Sequence, residues 1–80
     1  MARWIAIFED NPDAAWVRQN HAQAHFDYLA AHADLILIGG GLRPEPGAWW
    51  EGGLWVMEVE NREEAVRLVE ADPYFTLGLR

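Results

Sequence analysis

The chain has 80 residues, a net charge of −7 and no cysteine. Its six basic residues are all Arg and lie scattered, so there is no basic stripe to bind nucleic acid or an anionic membrane surface. No apolar run reaches the ~20 residues of a spanning helix, and the missing cysteines rule out disulfides and thiolate metal sites.

One small domain over residues 1–80 is expected, with a core too thin to do without a staple. Five Trp are many for such a chain, and Trp concentrates in interfaces, so oligomerisation is the expected staple. Arg3 precedes only the short apolar stretch "WIAIF", with no small-residue cleavage pattern after it. A cytoplasmic protein without a signal peptide is therefore expected.

"RWIAIFE", 3–9, is β-branched and aromatic and reads as a strand. Trp4, Ala6 and Phe8 face one way and Ile5 and Ile7 the other, so both faces call for cover. "EDNPDAAW" reads as a helix start. Asn11 can cap, Pro12 suits the first helical position, and Asp13 complements the dipole. The Ala-rich helix should run to about His32, with Val17, His21, Ala24, Tyr28 and Ala31 as its stripe.

"LILIGG", 35–40, reads as a second strand buried on both faces. Residues 39–53 hold six of the seven Gly and two of the four Pro, and read as a loop. "LWVMEVE", 54–60, is a third strand with Trp55, Met57 and Val59 on one side. "NREEAVRLVEAD" is a second helix, with Asn61 and Glu64 as a capping box and Ala65, Leu68 and Val69 inward. Pro73 stops it, and "FTLGLR" is placed to open a final strand. The order β-α-β-β-α is the split β-α-β pattern of ferredoxin-like α+β folds. Right-handed crossovers put both helices on one face of the sheet. The bare face then calls for the same face of a second copy.

Three histidines, His21, His25 and His32, share a broad face of the first helix with Tyr28. His21 and His25 have a workable spacing for two metal ligands but lack the Glu of the zinc-protease motif. His21 and His32 read most simply as half-exposed helix residues. Asp72, freed from its helix by Pro73, can turn toward His25 on the neighbouring helix. A carboxylate on an imidazole orients it and stabilises its protonated form. The competing reading has Asp72 bonding only its own turn.

Gly39–Gly41 lacks the Lys-Ser/Thr and the following helix of a phosphate-binding loop, and reads as a place of close backbone approach. Trp49 and Trp50 either cover a pocket or lie in a subunit interface, the latter being the preferred reading. Glu58, Glu60, Glu63, Glu64 and Glu70 read as a solvated face.

"AHFDYL" on the first helix, "LILIGG" after it and "REEAVRLVEADPYFTLGL" together resemble the YCII-related (YciI-like) family over nearly the whole chain. The resemblance implies a dimeric ferredoxin-like α+β barrel fold, similar to muconolactone isomerase. It also implies a His–Asp pair at the active site, matched here by His25 and Asp72. One member at least has a dehydrochlorinase role in chloroaromatic breakdown. Members continue past "GL" with a further strand, so the final strand is expected to be short or missing here. The Trp pair of the "PEPGAWWEGG" loop has no match in the family pattern.

The reading that results is a small homodimeric enzyme with no metal or cofactor. His25 acts as general acid or base, oriented by Asp72, with Arg18 and Tyr74 as substrate contacts. The chemistry expected is that of a lyase (dehydrochlorinase-like) or isomerase acting on a small anionic organic molecule. Two alternatives stand beside it: a non-catalytic binding or sensing module of the same fold, and a metal-dependent enzyme using His21 and His25.

Overall fold

In a computed structural model that describes residues 1–80, strands β1 (Ala2–Glu9), β2 (Ile36–Leu42) and β3 (Gly52–Val59) form one antiparallel sheet in the order β1-β3-β2. β3 is inserted between β1 and β2, which run parallel to each other, so β1, the first helix and β2 make a split β-α-β unit. This is a ferredoxin-like α+β fold. Register assigns the faces. Trp4 lies opposite Met57, Ala6 opposite Trp55 and Phe8 opposite Gly53, and this side meets the helices. Ile5 opposite Val56 and Ile7 opposite Leu54 point to the other side.

The inward side chains of β3 carry the core. Trp55, Met57 and Val59 are each 1% exposed and pack with Ile36 and Ala65. Burying side chains of this size contributes about 1.5–3 kcal/mol apiece. A second cluster, Ala14, Val17, Tyr74 and Leu79, ties the start of the first helix to the C-terminal segment.

Asn11 caps a 3-10 turn (Pro12–Ala14), its Oδ1 accepting from the Asp13 N–H at 3.0 Å. The turn feeds α1 (Ala15–Ala31), which is irregular at His21 (φ −127, ψ 15). Its inward face is Val17, His25, Tyr28 and Leu29, whereas Ala24 and Ala31 of the predicted stripe face solvent. The irregularity at His21 interrupts the ideal period on which that stripe rested. α2 (Arg62–Glu70) starts with the predicted Asn61 cap, whose Oδ1 accepts from the Glu64 N–H at 3.0 Å; Glu64 Oε2 reaches back one residue beyond a capping box and accepts from the Glu60 N–H at 3.2 Å.

Three expectations need correction. β2 runs on through the glycines to Leu42, and β3 starts already at Gly52, so the predicted loop shrinks from both ends. Ladder bonds to β3 hold these glycines in the sheet despite their poor strand propensity. β2 is not buried on both faces. It is an edge strand of which Ile36 alone is buried, because within one chain nothing lies on its outer side. "FTLGLR" does not open a strand. Pro73–Thr76 forms a single-turn helix, α3, and a turn at Gly78 (φ 89) brings Leu79 and Arg80 inward. Proline at the first helical position and the Asp72 carbonyl, which accepts from the N–H groups of Phe75 and Thr76 at 2.9 Å each, favour that turn over extension.

Gly52 sits where a Cβ would lie 2.1 Å from the Phe8 carbonyl oxygen, an overlap with paired backbone that cannot move aside. Gly52→Ala should cost about 3 kcal/mol or more, the upper end of overpacking penalties. It should appear as a lowered urea midpoint with an unchanged slope.

Candidate active site

The site grows from the break between α2 and α3. Proline excludes helical geometry at the residue before it, and Asp72 is extended (φ −66, ψ 134). Its side chain makes no capping bond to its own turn. Instead Oδ1 accepts a hydrogen bond from His25 Nδ1–H at 2.7 Å, across 47 residues of sequence, with both side chains buried. An ionised carboxylate only accepts, which puts the ring proton on Nδ1. Nε2 then has no partner in the chain and keeps contact with solvent.

α3 packs on α1 and lays the Tyr74 ring flat on the imidazole, centroids 3.8 Å apart and planes 5° apart. Trp55 stacks more distantly on His25, at 6.4 Å. Behind this stack lie two arginines and a second aspartate. Arg18 Nε donates to Asp10 Oδ2 at 2.6 Å and Nη2 to the Gly52 carbonyl at 2.9 Å, while Nη1 has no partner in the chain and touches solvent. Arg80 Nε lies 3.8 Å from Asp10 Oδ1 and Nη1 3.7 Å from Asp72 Oδ2. The guanidinium groups stand 5.2 Å (Arg18) and 5.1 Å (Arg80) from the Tyr74 centroid, within cation–π range.

These groups wall a cavity of about 310 Å³. His25, Arg18, Tyr74 and Arg80 line one part of it, Trp49, Trp50 and Trp55 another, and the Gly39–Gly41 backbone a third. The glycine strip makes the space. A Cβ at Gly41 would come within 2.7 Å of the Trp50 ring, which Arg43 covers at 4.5 Å.

Burial pushes the Tyr74 phenol above its usual range, with Arg18 and Arg80 pulling the other way. Burial, then the Asp72 charge, raises Tyr28, whose hydroxyl donates to the Leu68 carbonyl at 2.6 Å. Burial also lowers Arg80, opposed by Asp72.

All four predicted site residues meet here. His25, Arg18 and Tyr74 line the cavity, and Asp72 stands behind His25. The other histidines go elsewhere: His21 packs on Trp16, and His32 Nδ1 donates to the Tyr28 carbonyl at 2.9 Å at the end of α1. No group of three or more His, Asp or Glu side chains converges as a metal-ligand set would. Sequence reasoning missed Asp10, Trp55 and Arg80. Asp10 looked like part of a helix start, Trp55 like ordinary core and Arg80 like a strand residue. No spacing links positions 10, 18, 72 and 80, which only the fold brings together.

Fold and site together define a small ferredoxin-like protein with a ligand-sized cavity beside a buried His–Asp pair. The chain belongs to the YCII-related domain family, which matches residues 2–80. Among solved structures it is similar to 5-chloro-2-hydroxyhydroquinone dehydrochlorinase from Burkholderia phenoliruptrix AC1100 in complex with 2,5-dihydroxybenzoquinone. The TM-score is 0.82 and the identity 28%, over 98% of this chain and 84% of that one. No match appears among curated proteins.

The two tyrosines set the alkaline limit. The unfolded chain ionises its phenols at about pH 10, whereas folding raises both Tyr28 and Tyr74. Their stabilisation is therefore complete below pH 10 and is lost as pH rises through the folded values. Urea midpoints measured between pH 8 and 11 should fall above pH 10, and fall less steeply in Tyr28→Phe.

Proposed function

We propose that the chain is a small cytoplasmic enzyme, acting as a homodimer without metal or organic cofactor, that performs general acid–base chemistry on a small anionic organic molecule. The reaction class is a lyase of the dehydrochlorinase type, or an isomerase. The observation that carries this reading is the 2.7 Å bond from His25 Nδ1–H to Asp72, at the wall of a cavity, with Nε2 left in contact with solvent.

The chemistry follows from that arrangement. Asp72 holds the imidazole in one tautomer and orientation, and supports the imidazolium formed when Nε2 takes a proton. The flat Tyr74 ring lies against the same imidazolium, a favourable placement for a cation. In an elimination, a substrate proton goes to Nε2, its bonding electrons form the new double bond, and halide leaves with the electrons of the carbon–halogen bond. His25 then returns the proton to water. Arg18 Nη1 has no partner in the chain and suits a substrate anionic oxygen; Tyr74 is a second contact at the cavity wall.

The similar structure is named a dehydrochlorinase and holds a six-membered quinone. A cavity of about 310 Å³ with indole walls suits a flat ring of that kind. Homodimer formation is supported by the uncovered sheet face, where Ile5 (62%), Ile7 (73%) and Ile38 (62%) stand exposed in register with Val56 and Leu54. A contiguous apolar face of this kind marks an interaction surface.

The test is chloride release from 5-chloro-2-hydroxyhydroquinone. His25→Ala should lose about 10²–10⁴-fold in rate, the usual worth of a positioned proton-transfer group; Asp72→Asn should lose less. Release that persists in both variants overturns the acid–base reading. Saturable binding of 2,5-dihydroxybenzoquinone with no turnover of any chlorinated hydroquinone would point to the binding module instead. Separately, Ile7→Lys should convert a dimer to a monomer in sedimentation analysis.

A further inference from the structure

We propose that Arg80 is a positioning residue for the His25–Asp72 pair, and that residue 53 is glycine to seat its guanidinium. The proposal rests on the reading of that pair given above, but its test does not need turnover.

A carboxylate that orients an imidazole has two oxygens to place. Asp72 Oδ1 is held by His25. Oδ2 is buried and has no hydrogen-bond partner. A charge left buried with one side unpaired is costly, and one held at a single oxygen is free to swing. The cation facing Oδ2 is Arg80, with Nη1 at 3.7 Å. That is longer than a hydrogen bond, so Arg80 acts here as a fixed charge rather than a bidentate clamp. Its Nε and Nη1 are themselves buried without hydrogen-bond partners, and their nearest acceptors are carboxylates of Asp10 and Asp72. The arginine therefore sits between two acids, and its placement fixes where the Asp72 charge settles.

Three features hold it. The backbone is tied down, since the N–H groups of Leu79 and Arg80 both donate to the Tyr74 carbonyl, at 2.9 and 3.1 Å. The Leu79 carbonyl accepts from the Asn11 N–H at 2.7 Å. The guanidinium lies 4.2 Å over the Phe8 ring, and the side chain is 3% exposed. Finally, on the inward face of the sheet, Gly53 stands beside Phe8 on one side and Gly41 on the other. A Cβ at Gly53 would lie 2.2 Å from Arg80 Nη2 and 3.0 Å from Cζ. It would also lie 3.2 Å from the Gly40 carbonyl oxygen, a contact that a shift of a few tenths of an ångström in the edge strand relieves. The 2.2 Å overlap instead requires the end of the flexible arginine to leave, so a methyl group at 53 would evict the guanidinium and move the sheet only slightly.

The experiment follows the His25 Nδ1 proton by NMR in the full chain. In the wild type it should give a low-field resonance protected from exchange with water, assigned by its loss in Asp72→Asn. Arg80→Gln should broaden that resonance away, and Arg80→Lys should recover it. Gly53→Ala, which keeps every charge in the sequence, should reproduce Arg80→Gln, and the double variant should be no worse than either single one. With a working substrate, kcat should fall about 10–100-fold in Arg80→Gln, in the range of groups that orient a functional side chain, with KM little changed.

An unaltered, equally protected resonance in folded Arg80→Gln overturns the proposal and makes Arg80 a packing residue only. Should that variant not fold, an unaltered resonance in Gly53→Ala overturns it equally. A resonance that responds as expected in a protein without turnover upholds the positioning role and refutes the acid–base function.

Discussion

The hydrogen bond between His25 and Asp72 organises this molecule, and it exists because of a proline. Pro73 forces Asp72 out of helical geometry at the point where α2 has ended, and the freed carboxylate turns across the gap to α1. The same proline starts α3, whose second residue, Tyr74, lies flat on the imidazole. One residue that cannot continue a helix thus delivers both the acceptor and the stacking partner. Burial does the rest. In a site shielded from water each polar contact is stronger, and each unmet one more costly, than at the surface.

The two faces of the sheet have diverged in use. On the inward face, bulky side chains of β1 and β3 make the core, and glycines along the β2 edge and at position 53 leave room. The cavity is largely made of side chains that are not there. A β-branched residue at Gly39 or Gly41, the ordinary choice for a strand, would meet Trp55 or Trp50. On the outward face the isoleucines show what the strand sequence is like when nothing of the same chain covers it.

Much of this was legible in the chain of letters. The strands announced themselves by β-branched and aromatic runs, and both helix starts by Asn caps. The order of elements was enough for the split β-α-β topology. The His25–Asp72 contact could be anticipated because the fold places the two helical segments side by side and a proline explains why a carboxylate should leave its own. What could not be read was set by distance in space. The C-terminal "FTLGLR" carries strand-like letters, but local bonds to the Asp72 carbonyl and a glycine at positive φ turn it inward. The glycine-rich end of β2 looked like the start of a loop because its strand character comes from ladder bonds to β3, not from its residues. For Trp49 and Trp50 the letters left a pocket and an interface both open; both line the cavity, and Gly41 leaves the place that the Trp50 indole takes.

Asp10, Arg18, Asp72 and Arg80 balance one another, so the whole net charge of −7 resides on the rest of the protein. An anionic ligand of the kind proposed above would therefore meet a repelling field until it is within a few ångströms of the Arg18 guanidinium, whose Nη1 has no partner in the chain. Mobile ions weaken the long-range repulsion far more than the short-range, sheltered attraction. The entrance is thus an electrostatic barrier around a receptive interior, and ionic strength should govern how fast such a molecule arrives more than how firmly it is held.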